Sequence, residues 1–192
     1  DAKWSNGDAV TAADFVFGWH RAVDPATASE YSYMLSDIGQ IVNAAEIIAG
    51  EKPVTDLGVT AVDDKTLEVQ LNVPVSYFLS LMYFPTFYPV NEAFYNSCAD
   101  TFGTSPDTVL SNGAFKLTDY QPAATAFTLE KNPDYYDADK IALDSLAYQV
   151  IKDSQQALMS YQTGALDMTL LNGEQVDQVK DDPEFTSAGA GY

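Results

Sequence analysis

The apolar residues of this chain follow two different periods in turn, and this alternation restricts the fold more than any other feature of the sequence. Near the start, Phe15, Trp19 and Val23 recur at helical spacing. Further on, residues 67–71 alternate between apolar and polar, as a half-buried β-strand does. Strand, helix and strand patterns then follow one another between residues 146 and 171. This order predicts a βαβ unit, which favours a mixed α/β sheet.

Turn and capping residues set the ends of the predicted elements. Thr11 precedes the first helix as an N-cap residue, and Asp14 makes a near capping box with it. Asp24-Pro25 ends this helix, and a second amphipathic helix carries the apolar residues from Ile38 to Ile48. The other predicted elements are a hairpin over 58–71, a short helix from Pro74 to about Met82, helices over 91–98, 153–164 and 174–180, and strands over 114–118, 127–131, 146–151 and 166–171.

Charge excludes one broad class of partner. The 192 residues include 28 acidic and 9 basic side chains, a formal net charge of −19. Such a field repels phosphate backbones and anionic membrane surfaces, so we expect no nucleic-acid partner. Cys98 is the only cysteine, which rules out an internal disulfide. No apolar run approaches the ~18 residues of a membrane span, and no signal peptide opens the sequence, so a cytosolic protein and a processed exported one are both open.

Catalytic signatures are largely missing from the sequence. It contains no nucleophile-elbow, Walker or dinucleotide-binding motif. His20, the only histidine, is expected at the surface or near the helix cap rather than as a general base. Asp134, Asp137 and Asp139 have the wrong spacing for an EF-hand loop and predict a solvated acidic turn. We therefore expect no metal and no cofactor, with a hydrolase that uses two carboxylates as a distant alternative.

Two tyrosines stand out because they lie in a predicted loop between two helices. Tyr31 and Tyr33 each combine a flat apolar ring with a hydroxyl group. On a loop, such side chains suit recognition of a ligand's backbone and side chains without any chemistry. Packing against the protein itself is the alternative interpretation.

Five stretches of the chain, in colinear order, carry a family resemblance. They read DAKWSNGDAVTAADFVFGWHRAVDPATASEYSY (1–33), AAEIIAGEKPVTDLGVTAVDDKTLEVQLNVPVSYFLSLM (44–82), SNGAFKL (111–117), LEKNPDYYDA (129–138) and YQTGALDM (161–168). Together they resemble the oligopeptide-binding proteins of ABC importers, the family-5 extracellular solute-binding proteins. The resemblance is specific, because long ungapped motifs agree rather than isolated residues.

The resemblance implies a particular fold and domain organisation. Family members are more than twice this length, so the chain would be an internal part of a longer protein. The expected fold is mixed α/β and periplasmic-binding-protein-like, of type II, present only in part. Residues 1–90 would form the small peripheral α/β domain of the first lobe, and 91–192 an incomplete portion of the main first-lobe domain. The residues themselves also mark Pro89, at the end of the aromatic stretch 83–88, as a candidate crossover between lobes.

The resemblance also implies a function, which is extracytoplasmic binding of oligopeptides for uptake by an ABC transporter, without catalysis. In peptide-binding members the tyrosine of the DPxTASxY loop contacts the peptide backbone. Here that position is Tyr31, in DPATASEY, and Tyr33 is a secondary candidate. The partners would be the oligopeptide ligand and the permease subunits, with the membrane reached only through a lipid anchor outside this chain. The protein would be a surface lipoprotein of a Gram-positive cell or a Gram-negative periplasmic protein.

Other solutes stay open at this point. Members of the same family carry dipeptides, nickel, haem or sugars, and some act as peptide-pheromone receptors. The single histidine disfavours a metal carrier for this segment. Specificity would depend largely on polypeptide outside this chain.

Overall fold

The computed structural model describes residues 1–183 and 185, which form helices and strands in mixed order. The helices are α1 (Ala12–Val23), α2 (Ala44–Ile48), α3 (Glu92–Cys98), α4 (Ser154–Gln162) and α5 (Gly173–Val179). The strands are β1 (Val59–Asp63), β2 (Thr66–Val69), β3 (Phe115–Asp119), β4 (Ala126–Lys131) and β5 (Ser145–Gln149). This content confirms the predicted mixed α/β class.

The chain contains two compact units. The first comprises Asp1–Pro122 and Thr128–Leu146, and the second comprises Ala123–Phe127 and the residues from Ala147 onward. The division predicted at residue 90, between a small domain and part of a larger one, concerns the organisation of the whole family fold and stays a prediction.

Helix α1 begins with the predicted capping box. The backbone N–H of Thr11 donates to Asp14 Oδ2 at 2.8 Å, and the Thr11 hydroxyl donates to the same oxygen at 3.3 Å. This carboxylate is nearly buried and also accepts the indole N–H of Trp4 at 3.2 Å. The helix ends at Val23, directly before the predicted Asp-Pro stop. Asp14 therefore caps α1 and ties the segment before the helix to it.

The hydrophobic core lies in the first unit, where α1 packs against β1 and the short α2. Trp19 is fully buried, and its indole N–H donates to the carbonyl of Phe87 at 2.9 Å. The two rings also meet edge to face, with centroids 5.4 Å apart. The other buried members of this core are Ala22, Val23, Leu35, Ile41, Ala44, Ile47, Leu57 and Val59.

The second predicted helix is wrong as a continuous element. A π-helical turn spans Met34–Ile38, and α2 begins only at Ala44. Between them, Gln40 and Asn43 have φ values of 55° and 65°, in the left-handed region. Tertiary pairing explains the interruption, because Val42 donates its N–H to the Gln70 carbonyl at 2.9 Å and accepts the N–H of Gly58 at 2.9 Å. The backbone runs beside the hairpin here and cannot also make helical bonds.

The hairpin over 58–71 is confirmed. Strands β1 and β2 pair antiparallel, with Val59 opposite Val69 and a register shift before the turn. In the turn, Asp63 accepts the N–H of Lys65 at 2.8 Å and the hydroxyl of Thr66 at 3.0 Å. These bonds favour the ionised form, and the Lys65 N–H contributes most to lowering the pKa of the Asp63 carboxyl. Asp63 and Asp64 therefore lie where the predicted hairpin turns from β1 into β2.

The apolar helix predicted from Pro74 begins later than expected and has a tighter geometry. A 3₁₀ helix spans Phe78–Tyr83, and a second 3₁₀ turn spans Pro85–Phe87. Phe84 lies between them in extended conformation, as the residue before a proline generally does. The break at Pro85 therefore sets the position of the Phe84 ring.

A three-stranded sheet has the order β3-β4-β5. Strands β3 and β4 pair antiparallel, with Phe115 opposite Lys131. Asn132 follows β4 and is fully buried. Its side-chain N–H donates to the Gly113 carbonyl at 2.9 Å, and its Oδ1 accepts the N–H of Asp134 at 3.1 Å. Strand β4 ends at Lys131, which confirms the end of the strand predicted over 127–131.

The βαβ unit predicted over 146–171 is wrong in its last strand. Strand β5 and helix α4 are present, and the helix is capped by Asp153, whose Oδ1 accepts the N–H of Gln156 at 2.7 Å. Residues 166–171 form no strand, and Met168 and Leu170 are 75% and 88% exposed. In the described part of the chain, no neighbouring strand pairs with this segment. Alternation alone does not make a strand, because its backbone groups need a partner.

Candidate ligand-binding surface

Tyr31 and Tyr33 lie on the loop that follows α1, as the sequence predicts. Asp24 starts this loop by accepting the N–H of Ala26 on its side chain at 2.9 Å, which caps the 3₁₀ turn Pro25–Thr27. Ala28 then takes a left-handed conformation, with φ of 51°. The two tyrosines follow this bend and lie at the surface just before the π-helical turn.

The rings of Tyr31 and Tyr33 are exposed but not isolated. The two side chains are 50% and 43% exposed, and their ring centroids lie 6.1 Å apart. The Tyr31 ring also contacts Phe84 at 5.3 Å, with an angle of 58° between the planes. These three residues, Tyr31, Tyr33 and Phe84, are called the aromatic cluster below. Sequence reasoning found its two tyrosines and missed Phe84, which comes from a distant aromatic stretch.

The exposed tyrosines differ in whether their hydroxyl groups make a hydrogen bond within the protein. Tyr77 donates to the carbonyl of Ile38 at 3.3 Å, and Tyr88 donates to the carbonyl of Tyr83 at 2.9 Å. The hydroxyl groups of Tyr31 and Tyr33 make no hydrogen bond to any described residue. Their polar ends are thus available to a ligand, whereas those of Tyr77 and Tyr88 hold the local backbone.

The chemistry of the aromatic cluster suits binding rather than catalysis. Aromatic faces pack against apolar side chains and against the flat faces of peptide groups, and a tyrosine hydroxyl can donate or accept one further hydrogen bond. No described residue of the cluster is a nucleophile paired with a base. The arrangement can therefore hold and orient a solute, which needs several weak contacts rather than a reactive group.

A separate cavity of about 330 Å³ lies beside α1 and β1, at the start of α3. It contains His20, which is half-buried in the last turn of α1, and Glu92. Burial lowers the pKa of His20, and the Glu92 carboxylate opposes this only in part. The Nε2 atom of His20 has no hydrogen-bond partner among the described residues. Sequence reasoning expected a surface or cap-adjacent histidine, and the structure places it near the helix end but partly inside.

Acidic residues do not converge in this cavity. Glu92 is the one acid among the described residues that line it, so the pair of carboxylates required by the hydrolase alternative is not present there. Elsewhere, Asp137 accepts a hydrogen bond from Lys140 at 2.9 Å as part of an exposed turn. No group of metal-ligating side chains occurs in the described part of the chain. The helices of that part are too short or too polar to span a membrane.

The model of one protein family matches the sequence over residues 1–192, and its description is bacterial extracellular solute-binding proteins, family 5, middle region. The chain belongs to this family. The description of family 5 names solute binding and no enzymatic activity. The family description also confirms, at this coarse level, the expected location outside the cytoplasm.

Relatives of known activity cover the chain almost completely. It is 42% identical to the periplasmic oligopeptide-binding protein OppA of Salmonella typhimurium, over 90% of this chain and 31% of that protein. It is 36% identical to the dipeptide-binding protein of Lactococcus lactis, over 88% of this chain and 31% of the relative. The chain thus spans about a third of the length of these family-5 proteins, in agreement with the expectation from the resemblance.

A solved structure supports the same family assignment. The structure of Listeria monocytogenes OppA bound to peptide matches with a TM-score of 0.86 and 43% identity, over 95% of this chain and 35% of that one. This likeness confirms a partial periplasmic-binding-protein-like fold of type II. The roles of Tyr31 and Tyr33 in a family-5 binding site stay predictions, which the aromatic cluster makes specific enough to test.

Proposed function

We propose that the protein binds oligopeptides outside the cytoplasm and delivers them to an ABC importer. The observation that carries this proposal is the aromatic cluster, in which Tyr31 presents a half-exposed ring and an unoccupied hydroxyl on a structured loop. The similarity of this chain to OppA proteins supports the choice of peptide as the solute, because the structure of one of them has been solved with a bound peptide. Catalysis has no part in this function.

The aromatic cluster would act on the peptide through two kinds of contact. The Tyr31 hydroxyl would hydrogen-bond to a peptide group of the ligand, which is the same in every peptide and so favours low sequence selectivity. The rings of Tyr31 and Tyr33 would cover part of the peptide from water, which strengthens that bond. Polypeptide outside this chain would close over the ligand by hinge motion and supply the other wall of the site.

The remaining parts of the proposal follow from the family. The permease subunits of the importer would be the protein partners, and the protein would be either lipid-anchored or periplasmic. Residues 1–90 would form the small peripheral domain, which contains the aromatic cluster, and residues 91–192 part of the main domain of the same lobe.

Calorimetric titration of the full-length gene product tests the proposal directly. Alanine peptides of two to five residues would bind, and a Tyr31→Phe variant would bind the best of them about two- to tenfold more weakly, because one hydrogen bond contributes ~0.5–1.5 kcal/mol. Tyr148→Phe is the matched control, since this tyrosine is also partly exposed and lies outside the aromatic cluster. It should leave the affinity unchanged.

The same titrations distinguish binding of peptides from binding of the other solutes that the family carries. Binding of dialanine alone would reassign the protein to dipeptides, the solute of the Lactococcus relative. Heat from nickel, haem or a sugar, without heat from any peptide, would contradict the proposed function. Equal affinities of the wild type and Tyr31→Phe for every peptide would refute the hydrogen bond from the Tyr31 hydroxyl, and equal affinities of the wild type and Tyr31→Leu would remove Tyr31 from the binding site.

A further inference from the structure

The Tyr31 side chain has little to hold it in place except its ring contacts. Its loop is closed by single backbone bonds, such as the N–H of Met34 to the Tyr31 carbonyl at 3.0 Å. The ring is half exposed, and its hydroxyl has no partner among the described residues. An exposed tyrosine of this kind would otherwise sample several rotamers, and ordering it on binding would cost affinity.

Phe84 is the contact of Tyr31 that is fixed most firmly. Its N–H donates to the Leu81 carbonyl at 2.9 Å, and its carbonyl accepts the N–H of Phe87 at 3.0 Å. The Phe84 ring is partly buried against the hydrophobic core, in which Phe87 is packed edge to face on Trp19. The position of the Phe84 ring is therefore determined by the core and not by the loop.

The other ring contact of Tyr31 is less constrained. Tyr33 belongs to the same loop, is 43% exposed and lies 6.1 Å from Tyr31. A neighbour on the same loop moves with it and cannot define where the loop places Tyr31 relative to the core. Phe84 joins the loop to a different segment of the chain, so its contact has an orienting effect that the Tyr33 contact lacks.

We infer that Phe84 is a positioning residue for ligand binding, which holds the Tyr31 ring in the orientation used to contact a peptide. The inference rests on the proposed function. Phe84 acts through Tyr31 and needs no contact of its own with the ligand. The contact orders Tyr31 before the peptide arrives, which reduces the entropy lost on binding.

The test uses the full-length gene product labelled with 3-fluorotyrosine, so that the placement of Tyr31 is read without any ligand. The fluorine resonance of Tyr31 is assigned by its disappearance in Tyr31→Phe. In Phe84→Leu this resonance should narrow and move towards the position of free fluorotyrosine. Phe78→Leu is the matched control, because Phe78 is also partly buried on the core and contacts Phe87 at 6.4 Å, with no ring contact to Tyr31.

Peptide affinity supplies the second readout, with the alanine peptide that the wild type binds most tightly as the probe. Phe84→Leu should weaken binding about two- to tenfold, the range for loss of one aromatic pair, while Phe84→Tyr and Phe78→Leu stay within about twofold of the wild type.

In a Tyr31→Leu background, Phe84→Leu should cause no further loss of peptide affinity. A loss that adds fully to that of Tyr31→Leu would overturn the inference, since Phe84 would then act independently. Phe84→Met, whose unbranched and flexible side chain adapts better to the space left by the ring, replaces Phe84→Leu if thermal unfolding shows that the leucine variant is not folded.

The two readouts keep this inference apart from the proposed function. An unchanged Tyr31 resonance in Phe84→Leu would overturn the positioning role, whatever the peptide affinity. A shifted resonance in a protein that binds no peptide would support the placement of Tyr31 by Phe84 and refute peptide binding. A shifted resonance with unchanged affinity, where Tyr31→Leu does weaken binding, would show that the orientation of the ring is irrelevant to the ligand and would overturn the inference.

Discussion

Trp19 and Tyr31 differ in where the polar atom of the aromatic side chain finds a hydrogen-bond partner. Trp19 is fully buried, and its indole N–H is satisfied by the Phe87 carbonyl at 2.9 Å. Tyr31 keeps its hydroxyl free of described residues and its ring half exposed. A buried N–H without a partner would destabilise the fold, whereas an exposed hydroxyl is solvated at no cost and can exchange water for a ligand. The same class of side chain therefore stabilises the core at one position and is available for a ligand at the other.

His20 should make the stability of the protein depend on pH near neutrality. Burial lowers the pKa of its imidazole below the usual value of about 6.5, so the unfolded chain binds a proton more readily than the folded one. The free energy of unfolding should therefore fall as the pH drops through about 6.5 towards the lower pKa of the folded state. Chemical denaturation between about pH 7.5 and pH 5.5 measures this, above the range in which most carboxylates titrate.

A His20→Gln variant is the control for this pH dependence. Glutamine keeps a polar side chain of similar reach but does not titrate, so its unfolding free energy should vary less over the same pH interval. Equal slopes for the two proteins would show that His20 does not carry the effect.

Secondary structure between residues 34 and 58 is decided by contacts between elements. The chain leaves helical geometry at Gln40 because Gln40 accepts the N–H of Asn72 at 2.8 Å, next to the bonds that Val42 makes with Gly58 and Gln70. These bonds add a short paired segment beside the hairpin. Several backbone bonds to the hairpin outweigh the helical bonds that they replace, because Ile41 and Leu57 also join the buried core cluster that contains Val59 of β1.

Gly58→Ala should destabilise the protein by about 1–3 kcal/mol, the usual cost of overpacking. A Cβ atom at this position would lie 2.8 Å from Val42 Cβ and 2.9 Å from the Gln70 carbonyl oxygen. Both neighbours are fixed by the paired segment and cannot move without loss of its hydrogen bonds. Gly113→Ala is the matched control, since no atom lies within 4 Å of the added carbon there. Denaturant unfolding of both variants checks this, and equal stabilities would contradict the close approach.

This chain as a whole carries a large excess of negative charge, which local pairing does little to reduce. Its formal net charge is −19. The ion pairs among the described residues are largely exposed, and pairs of this kind contribute little to stability. They are Lys52–Glu46, Lys65–Asp1, Lys140–Asp137 and Lys180–Asp177. In the folded state, repulsion between the acidic side chains should therefore exceed the attraction within the ion pairs.

Sodium chloride should accordingly stabilise the protein. Raising its concentration from about 10 mM to about 150 mM shortens the Debye length from roughly 30 Å to roughly 8 Å and screens the repulsion. We expect the midpoint of thermal unfolding to rise by roughly 2–4 °C, equivalent to about 1 kcal/mol for a domain of this size. Scanning calorimetry measures it, with an uncharged osmolyte at equal osmolality as the control. A lower midpoint in salt would mean that the ion pairs dominate.

Sequence reasoning found most elements but only part of the candidate site. The hairpin and the capped helices α1 and α4 were predictable, because their signals lie within a few neighbouring residues. Tyr31 was predictable from its loop motif, through the family resemblance. Phe84 was not, because nothing in the sequence around Pro85 indicates that this ring would meet a loop far away along the chain. The positioning role proposed for Phe84 depends on a contact with Tyr31 that only the folded core creates.

The sequence by itself determined the family through its motifs. It also determined the capped starts of α1 and α4 and the place of the hairpin, since capping and turn bonds form between residues close along the chain. The tertiary structure alone decided three further features. It divided the predicted helix at Gln40, it left the segment 166–171 without a strand partner among the described residues, and it brought Phe84 against Tyr31. The physical reason is the same in each case, because backbone pairing and ring contacts between distant segments depend on which groups the fold brings together.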